Sequence, residues 1–165
     1  MNILGVWLAK AFATCGFIGY LPRFFRTTES MRTGAGFLGT LVGVATIRWL
    51  PLNGFACIAV LLGAVLFSVG VSDYAEQFLR RKDDPRIIID EWVGYWLAMG
   101  FLPHDWRMLL AAFILFRILD VWKPLGIRRL SHLPGGWGVV LDDAAAGVVA
   151  NVILQLAFWA HAHTL

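Results

Sequence analysis

Three short motifs place acidic side chains in a 165-residue chain that is otherwise mostly apolar. Asp90 and Glu91 lie in IIIDEWVG, Asp120 lies in FRILDVWKP, and Asp142 and Asp143 lie in GVVLDDAAAG. A helix N-terminus needs one acid as its cap, so two adjacent pairs and a fifth acid exceed what capping requires. Carboxylate oxygens without Cys-His spacing suit a hard ion such as Mg²⁺. The five acids therefore predict one Mg²⁺-binding active site.

Basic residues close to these acids could either neutralise them or bind an anion. Arg117 and Asp120 are one helical turn apart, so a structural ion pair and a phosphate-binding role for Arg117 are equally open. Lys123, Arg128 and Arg129 follow in the chain. A bound Mg²⁺ would reverse the local field of the carboxylates, and these cations could then hold a phosphate.

A glycine-rich turn, Gly135-Gly136-Trp137-Gly138, comes just before the last apolar segment. Its backbone N–H groups could approach a phosphate, or the turn could be only a tight loop. The predicted phosphate-binding residues are Arg117, Lys123, Arg128, Gly135 and Gly136.

Several other chemistries find no support in the sequence. The chain has no P-loop lysine motif, no GxSxG elbow and no HExxH helix, which argues against P-loop nucleotide hydrolysis, serine esterase and zinc protease activity. Cys15 and Cys57 are isolated in apolar segments and are predicted to be packing residues.

The composition predicts that the elements carrying these motifs lie in a membrane. Hydrophobic residues make up 59%, charged residues 15%, and the mean hydropathy is +0.69. The longest uncharged run, from about residue 50 to 72, exceeds the roughly 18 residues needed to span a hydrocarbon core. No segment alternates with period two, and backbone groups in lipid must be satisfied within helices. We expect an all-α, polytopic membrane protein, a single domain over 1–165 built as one compact helical bundle.

Six helical segments are predicted in this bundle. They cover about 2–21, 34–50, 54–72, 88–103, 107–121 and 140–160. For 88–103 and 107–121, interfacial or re-entrant packing stays open, since both are short for a span. In the last segment Asp143, Gly147, Asn151 and Gln155 are four residues apart, so this polar and small stripe should face protein.

The distribution of basic residues predicts the orientation of the bundle. Arg and Lys concentrate in the connections 22–33, 73–87 and 122–137, which we therefore assign to the cytoplasm, with both termini on the opposite side. The acidic motifs fall at the same ends of the segments, so the site should lie at headgroup depth. The net charge of +3 and the pI near 9.2 then reflect topology and anionic-lipid contact rather than a nucleic-acid partner.

The three acidic motifs together resemble those of the phosphatidylglycerophosphatase A family, bacterial membrane phosphatases that convert phosphatidylglycerophosphate to phosphatidylglycerol. DDPRIIIDEWVG at 83–94, LFRILDVWKP at 115–124 and PGGWGVVLDDAAAG at 134–147 are similar, in this order, to the family's DP-x-x-IVIDE-x-x-G, FR-x-x-D-x-x-KP and GG-x-G-x-x-x-DD-x-x-AG patterns. Where the family usually has PGT-x-GS, this chain has AGFLGT at 35–40.

The resemblance implies an activity and roles for the predicted residues. The activity would be Mg²⁺-dependent hydrolysis of the terminal phosphomonoester of a phospholipid at the cytoplasmic face of the bacterial inner membrane. Lys123 and Arg117 would hold the phosphate, and a direct Asp nucleophile stays open beside attack by water. The implied catalytic residues, as metal ligands or as the base for water, are Asp90, Glu91, Asp120, Asp142 and Asp143.

Three other functions are compatible with intramembrane acids. An ion-coupled transporter would hold its carboxylate cluster near the bilayer midplane, whereas these acids lie at segment ends. A lipid head-group phosphotransferase would require a nucleotide. A structural or regulatory subunit would tolerate the loss of Asp143 or Glu91. The oligomeric state is left open by the sequence.

Overall fold

The computed structural model describes residues 3–24, 28–124 and 126–163, and over these ranges the chain is helical without strands. The all-α prediction is confirmed for this part of the chain. Three short 3-10 helices, Ile18–Phe24, Ile47–Trp49 and Ile127–His132, lie in the connections. The α-helices are α1 (Ile3–Ala13), α2 (Thr28–Thr46), α3 (Gly54–Leu79), α4 (Ile89–Met99), α5 (Trp106–Trp122) and α6 (Gly136–His163).

Two of these helices are long and apolar enough to cross a membrane. They are α3, with 26 residues, and α6, with 28. At about 1.5 Å per residue both exceed the roughly 30 Å of a hydrocarbon core. Both also extend beyond their predicted bounds of 54–72 and 140–160, because helical structure continues past the first charged or glycine residues at their ends.

Two predicted spans are shorter than expected as helices. The 88–103 segment contains only the 11 residues of α4, about 16 Å, so the helix bounds predicted for it are wrong at the C-terminal end, and α4 alone is too short to cross a hydrocarbon core. Gly100 caps α4, and Phe101 takes a positive φ of 62° just before Pro103. The 2–21 segment contains α1, which stops at Ala13, before a turn in which Cys15 has φ 47°. Residues 25–27 of the predicted 22–33 loop lie outside the described ranges.

Side-chain caps and left-handed residues set several helix ends. Asn53 accepts a hydrogen bond from the Ala56 N–H at 3.0 Å, and Asp105 accepts one from the Arg107 N–H at 2.9 Å, which starts α3 and α5. Lys123 adopts φ 44° after α5, and its N–H donates to the Leu119 carbonyl at 2.8 Å. α5 therefore ends abruptly and the chain turns back toward α6.

The short helix α4 is the centre of the bundle. Its residues Val93, Tyr95, Ala98 and Met99 are fully buried, and it packs against α2, α3, α5 and α6. At its crossing with α6, a Cβ added to Gly147 would lie 2.2 Å from the Gly94 carbonyl oxygen. The two backbones therefore touch at a point where only glycine fits.

The far end of α4 is closed by two polar side chains of α6. Asn151 Nδ2 donates to the carbonyl oxygens of Ala98 at 3.0 Å and Gly100 at 2.7 Å. Gln155 Nε2 donates to the Gly100 carbonyl oxygen at 3.3 Å and to Asn151 Oδ1 at 3.2 Å. These bonds satisfy carbonyls that a helix end leaves without partners. The prediction that the polar stripe of α6 faces protein is confirmed.

The loop that leads into α4 is fastened by an ion pair. Arg86 donates from Nε to Asp84 Oδ1 at 2.7 Å and from Nη2 to Oδ2 at 2.8 Å, and its guanidinium lies 5.4 Å from the centre of the Tyr20 ring. Burial favours a higher pKa for the Asp84 carboxyl, but the hydrogen bonds and charge of Arg86 outweigh it and lower that pKa. The Ile88 N–H donates to the Ala13 carbonyl at 2.9 Å, so the loop is also bound to the end of α1.

Candidate active site

A cavity of about 240 Å³ opens at the start of α4. Its lining comes from the loop before α4, from the first turn of α4, from the last turns of α5 and from the first half of α6. Three distant stretches of sequence therefore meet there. The cavity is lined by all five predicted acids and two predicted cations, Asp90, Glu91, Asp120, Asp142, Asp143, Arg117 and Lys123.

Three of the acids form a group that could hold a metal ion. One carboxylate oxygen from each of Asp90, Glu91 and Asp143 lies within 4.8 Å of the other two. Asp90 is 8% and Asp143 3% exposed, and among the described residues Asp90 Oδ1 and Glu91 Oε2 have no hydrogen-bond partner. Buried carboxylate oxygens are costly without a compensating charge. The donor set fits a hard divalent cation.

The other two acids are compensated by protein cations. Arg117 Nη1 donates to Asp120 Oδ2 at 2.6 Å, so the ion pair expected from their spacing is present. Lys123 Nζ donates to the Asp142 carboxylate and to Asp143 Oδ1 at 3.3 Å, and lies 3.7 Å from Asp120 Oδ1. The cavity thus has one side with unpaired carboxylate oxygens and another side built of ion pairs.

Lys123 reaches the acids because of its backbone conformation. It follows the last residue of α5 with φ 44°, a region that non-glycine residues seldom occupy, and Pro124 prevents the helix from continuing. Burial alone would lower the pKa of the Lys123 ammonium, but the charges of Asp143, Asp142 and Asp120 outweigh it and raise that pKa. Lys123 is therefore a permanent cation in the cavity wall.

Two glycines of α2, Gly36 and Gly39, let its backbone lie directly against the residues of the site. A Cβ added to Gly36 would lie 2.4 Å from Glu91 Oε1 and 2.8 Å from Arg117 Nη1. One added to Gly39 would lie 2.6 Å from the Ile88 carbonyl oxygen. The AGFLGT stretch at 35–40 thus presses its backbone against the start of α4 and against the Glu91 and Arg117 side chains.

Three residues predicted to bind phosphate lie away from the cavity lining. Arg128 is exposed on the 3-10 helix Ile127–His132. The Gly136 N–H donates to Asp73 Oδ1 at 3.3 Å, and a Cβ on Gly135 would lie 2.0 Å from the same oxygen. The glycine turn therefore packs α6 against α3. A phosphate-binding role for Arg128, Gly135 and Gly136 stays a prediction.

The sequence reasoning assigned no role to some residues that build the site. Asp83 lines the cavity, and the buried Asp84 fastens the loop that carries it. Both stand in the DDPRIIIDEWVG motif, so their proximity to Asp90 in sequence was the available signal. Gly147 belongs to the stripe that was predicted to face protein, but the sequence did not indicate that its partner would be the backbone of Gly94.

The described part of the chain is a helical protein whose cavity groups three carboxylates that could hold a metal ion, with two cations at the same cavity. The model of the family described as Phosphatidylglycerophosphatase A matches residues 11–158. The chain belongs to the phosphatidylglycerophosphatase A family, and it is a phosphatase.

Three curated relatives are similar over most of the chain. Phosphatidylglycerophosphatase A of Escherichia coli K12 is 33% identical over 72% of this chain and 71% of its own length. Phosphatidylglycerophosphatase A of Haemophilus influenzae is 30% identical over 77% of this chain and 78% of its own. A protein of Bacteroides thetaiotaomicron, provisionally named a phosphatidylinositol-3-phosphatase, is 32% identical over 84% of this chain and 96% of its own. No solved structure matches the chain.

Proposed function

We propose that the protein hydrolyses the terminal phosphomonoester of phosphatidylglycerophosphate, giving phosphatidylglycerol and inorganic phosphate. The observation that carries the proposal is the pair of buried oxygens without partners, Asp90 Oδ1 and Glu91 Oε2, beside Asp143 in a cavity that also holds Arg117 and Lys123. Two relatives named phosphatidylglycerophosphatase A support the choice of substrate.

The residues that would hold Mg²⁺ are Asp90, Glu91 and Asp143, with Asp120 and Asp142 close by. With Mg²⁺ held by these carboxylates, positive charge would be available to the phosphoryl oxygens and the pKa of water would be lowered. The fit rests on the two oxygens without partners and on the mutual spacing of the three carboxylates.

The chain's own residues orient the phosphate and handle the proton. Arg117 and Lys123 offer N–H donors at the cavity wall, where Asp120 and Asp142 hold them in place. A cavity carboxylate accepts a proton from the attacking water, whose oxygen forms the new bond to phosphorus. The bond from phosphorus to the glycerol oxygen breaks, and that oxygen takes up a proton and leaves as the hydroxyl of phosphatidylglycerol.

We further propose that the chain is a multi-pass protein of the bacterial inner membrane with the cavity toward the cytoplasm. In the most apolar 18 residues of α3, only 22% are buried, whereas the core helix of a water-soluble protein would be mostly covered. Leu62, Leu66 and Phe67 are among its exposed side chains. Arg80, Arg81 and Lys82 follow α3 at the end where the cavity opens, which favours the cytoplasm for that end.

A second substrate is supported by one relative. The Bacteroides thetaiotaomicron protein, similar over 84% of this chain, carries a name that refers to phosphatidylinositol 3-phosphate. Its phosphate is also a monoester on a phospholipid head group, so the same cavity chemistry would apply. We propose phosphatidylglycerophosphate as the better substrate, because two relatives are named for it.

Phosphate release by the purified protein in detergent tests both substrates. Each lipid is supplied with Mg²⁺ or with a chelator, and no nucleotide is added. We expect Mg²⁺-dependent release, faster from phosphatidylglycerophosphate than from phosphatidylinositol 3-phosphate. Faster release from phosphatidylinositol 3-phosphate would make that lipid the better substrate and would contradict the proposed ranking. Release that needs a nucleotide acceptor would favour a phosphotransferase. No phosphate release from folded protein would contradict the phosphatase proposal and favour the ion-coupled transporter.

A further inference from the structure

An apolar groove runs along the outside of the bundle between α2 and α5. Its volume is about 340 Å³, and its walls are formed by Phe37, Leu41 and Val44 of α2 and by Trp106, Leu110 and Phe113 of α5. Leu41 and Leu110 are 41% and 51% exposed, so the groove is open along its side. We propose that this groove holds one acyl chain of the phospholipid substrate while its phosphate lies in the acidic cavity, an inference that rests on the proposed function.

One end of the groove adjoins the acidic cavity. Phe37 follows Gly36, whose backbone touches Glu91 and Arg117. Phe113 precedes Arg117 by four residues, so the two side chains share one face of α5. A lipid whose phosphate contacts Arg117 would therefore have its apolar part beside the touching rings of Phe37 and Phe113, and its acyl chain would enter the groove along the open side.

The groove has a defined length and direction. From Phe37 to Val44, and from Phe113 to Trp106, each wall extends over seven residue-to-residue steps, or about 10 Å at roughly 1.5 Å per step. One leaflet of a bilayer contributes roughly 15 Å of hydrocarbon, half of the core. The groove thus accommodates the upper part of an acyl chain and ends at Trp106, which is 70% exposed.

The walls of the groove are held firmly in place. The rings of Phe37 and Phe113 meet edge to face with centres 5.4 Å apart, and the fully buried Tyr95 lies 6.4 Å behind Phe113. The Tyr95 hydroxyl donates to the Leu109 carbonyl at 3.0 Å. Because the groove is pre-formed, binding of an apolar chain does not include the entropic cost of ordering its walls.

The two regions together complement a phospholipid in charge. With a divalent cation held by the carboxylates, the cavity would present that cation, Arg117 and Lys123 to the anionic head, whereas the described side chains that line the groove are aliphatic or aromatic. This complementarity favours a substrate lipid over a second protein as the occupant of the groove.

The test fills the groove and compares substrates with and without acyl chains. Leu110→Trp and Leu41→Trp add a large ring to opposite walls. Leu62→Trp on α3, which is 59% exposed and lies outside the groove, is the matched control. Phosphate release is measured in mixed micelles for dioleoyl phosphatidylglycerophosphate and for its water-soluble, deacylated head group.

We expect each groove variant to raise KM for the dioleoyl lipid about tenfold, as for the loss of two buried methylenes, with kcat unchanged. The deacylated substrate should be processed as by the wild type, and Leu62→Trp should resemble the wild type with both substrates. The inference is wrong if the groove variants match Leu62→Trp, or if they lose activity equally toward both substrates.

A binding measurement separates this inference from the proposed function. A phosphatidylglycerophosphate with a photoreactive diazirine in one acyl chain is cross-linked to the wild type, and the labelled peptides are mapped. Label on α2 and α5 residues of the groove supports the inference even if the protein releases no phosphate. Label spread evenly over the exposed faces of α3 and α6 would overturn it.

Discussion

The two ends of α4 meet the same partner helix with opposite chemistry. At the first turn, Asp90 and Glu91 face Asp143 of α6, and two of their carboxylate oxygens have no partner among the described residues. At the last turn, Asn151 and Gln155 of α6 donate to the free carbonyls of α4.

Buried polar groups in folded proteins normally find partners, and the far end of α4 follows this rule. The acidic end departs from it within the same helix pair. We propose that the departure marks the cation site, whereas the amide end stabilises the bundle. Substitutions at the two ends should therefore change different quantities.

The largest effect is expected for Asp143→Asn at the acidic end. Asn keeps the shape of the side chain but removes the charge that a divalent cation requires, so we expect the rate of phosphate release to fall more than about 100-fold. The melting temperature should stay the same or rise, since a buried charge is removed.

Asp105→Asn is the matched control for this substitution. Asp105 caps α5 away from the cavity, and Asn is an equally good cap. It should keep wild-type activity. Comparable activity of the two variants would mean that the acidic end is only structural.

Gly147→Ala should affect both ends of α4 at once. Its new Cβ would lie 2.2 Å from the Gly94 carbonyl oxygen, so α4 and α6 must move apart. We expect a loss of about 2 kcal/mol in the free energy of unfolding from overpacking, together with roughly a tenfold loss of activity. Thermal unfolding and phosphate release measure the two effects.

Gly63→Ala controls for the general effect of alanine in a helix. Among the described residues no atom lies within 4 Å of a Cβ added at Gly63, so this variant should be as stable as the wild type or slightly more so. If Gly147→Ala is as stable and active as Gly63→Ala, the close crossing of α4 and α6 is not required for stability or for activity.

Asn151→Leu should change stability far more than catalysis. Loss of the amide leaves the Ala98 and Gly100 carbonyls short of donors in a buried setting, at a cost of about 2 kcal/mol. Activity per folded molecule should stay within about threefold of the wild type. The exposed neighbour Val152→Leu serves as control, and a selective loss of activity in Asn151→Leu would argue against a purely structural amide end.

Much of this contrast could be predicted from the sequence. The acidic motifs identified five of the acids that line the cavity, all except Asp83, since acids are rare in apolar segments and are functional candidates there. The four-residue spacing of the α6 stripe indicated that Asn151 and Gln155 face protein. The composition indicated helices, because an apolar chain without period-two alternation has few other ways to satisfy its backbone.

The sequence did not show where some helices end or which side chains and backbones contact one another. The apolar run from 88 to 103 concealed the end of α4 at Met99, because hydropathy does not register a backbone turn such as that at Phe101. The Gly94 and Gly147 crossing depends on two positions 53 residues apart, and such pairings are a property of packing. Lys123 was predicted to hold phosphate, but its position in the sequence did not show that three carboxylates lie around its ammonium group.

The smallest effect is expected outside both ends of α4, in the loop that leads into it. Asp84→Asn weakens the paired hydrogen bonds to Arg86 and should cost about 1.5 kcal/mol at pH 7. The pKa of Asp84 is lowered in the folded protein, so its contribution is complete above the ordinary carboxyl pKa of about 4 and is lost as the pH falls below it.

The difference in melting temperature between wild type and Asp84→Asn should therefore be largest near pH 7 and should shrink below about pH 4. A difference that stays constant over this range would show that the ionised form of Asp84 does not matter to the fold.

Binding of Mn²⁺, followed by electron paramagnetic resonance with Mg²⁺ as competitor, tests the central claim most directly, since it needs no substrate. Mn²⁺ accepts the same oxygen ligands as Mg²⁺. The account predicts saturable binding that Mg²⁺ displaces in the wild type and in Asn151→Leu, and the loss of that binding in Asp143→Asn. Equal binding by Asp143→Asn and the wild type would contradict a cation site at the acidic end of α4.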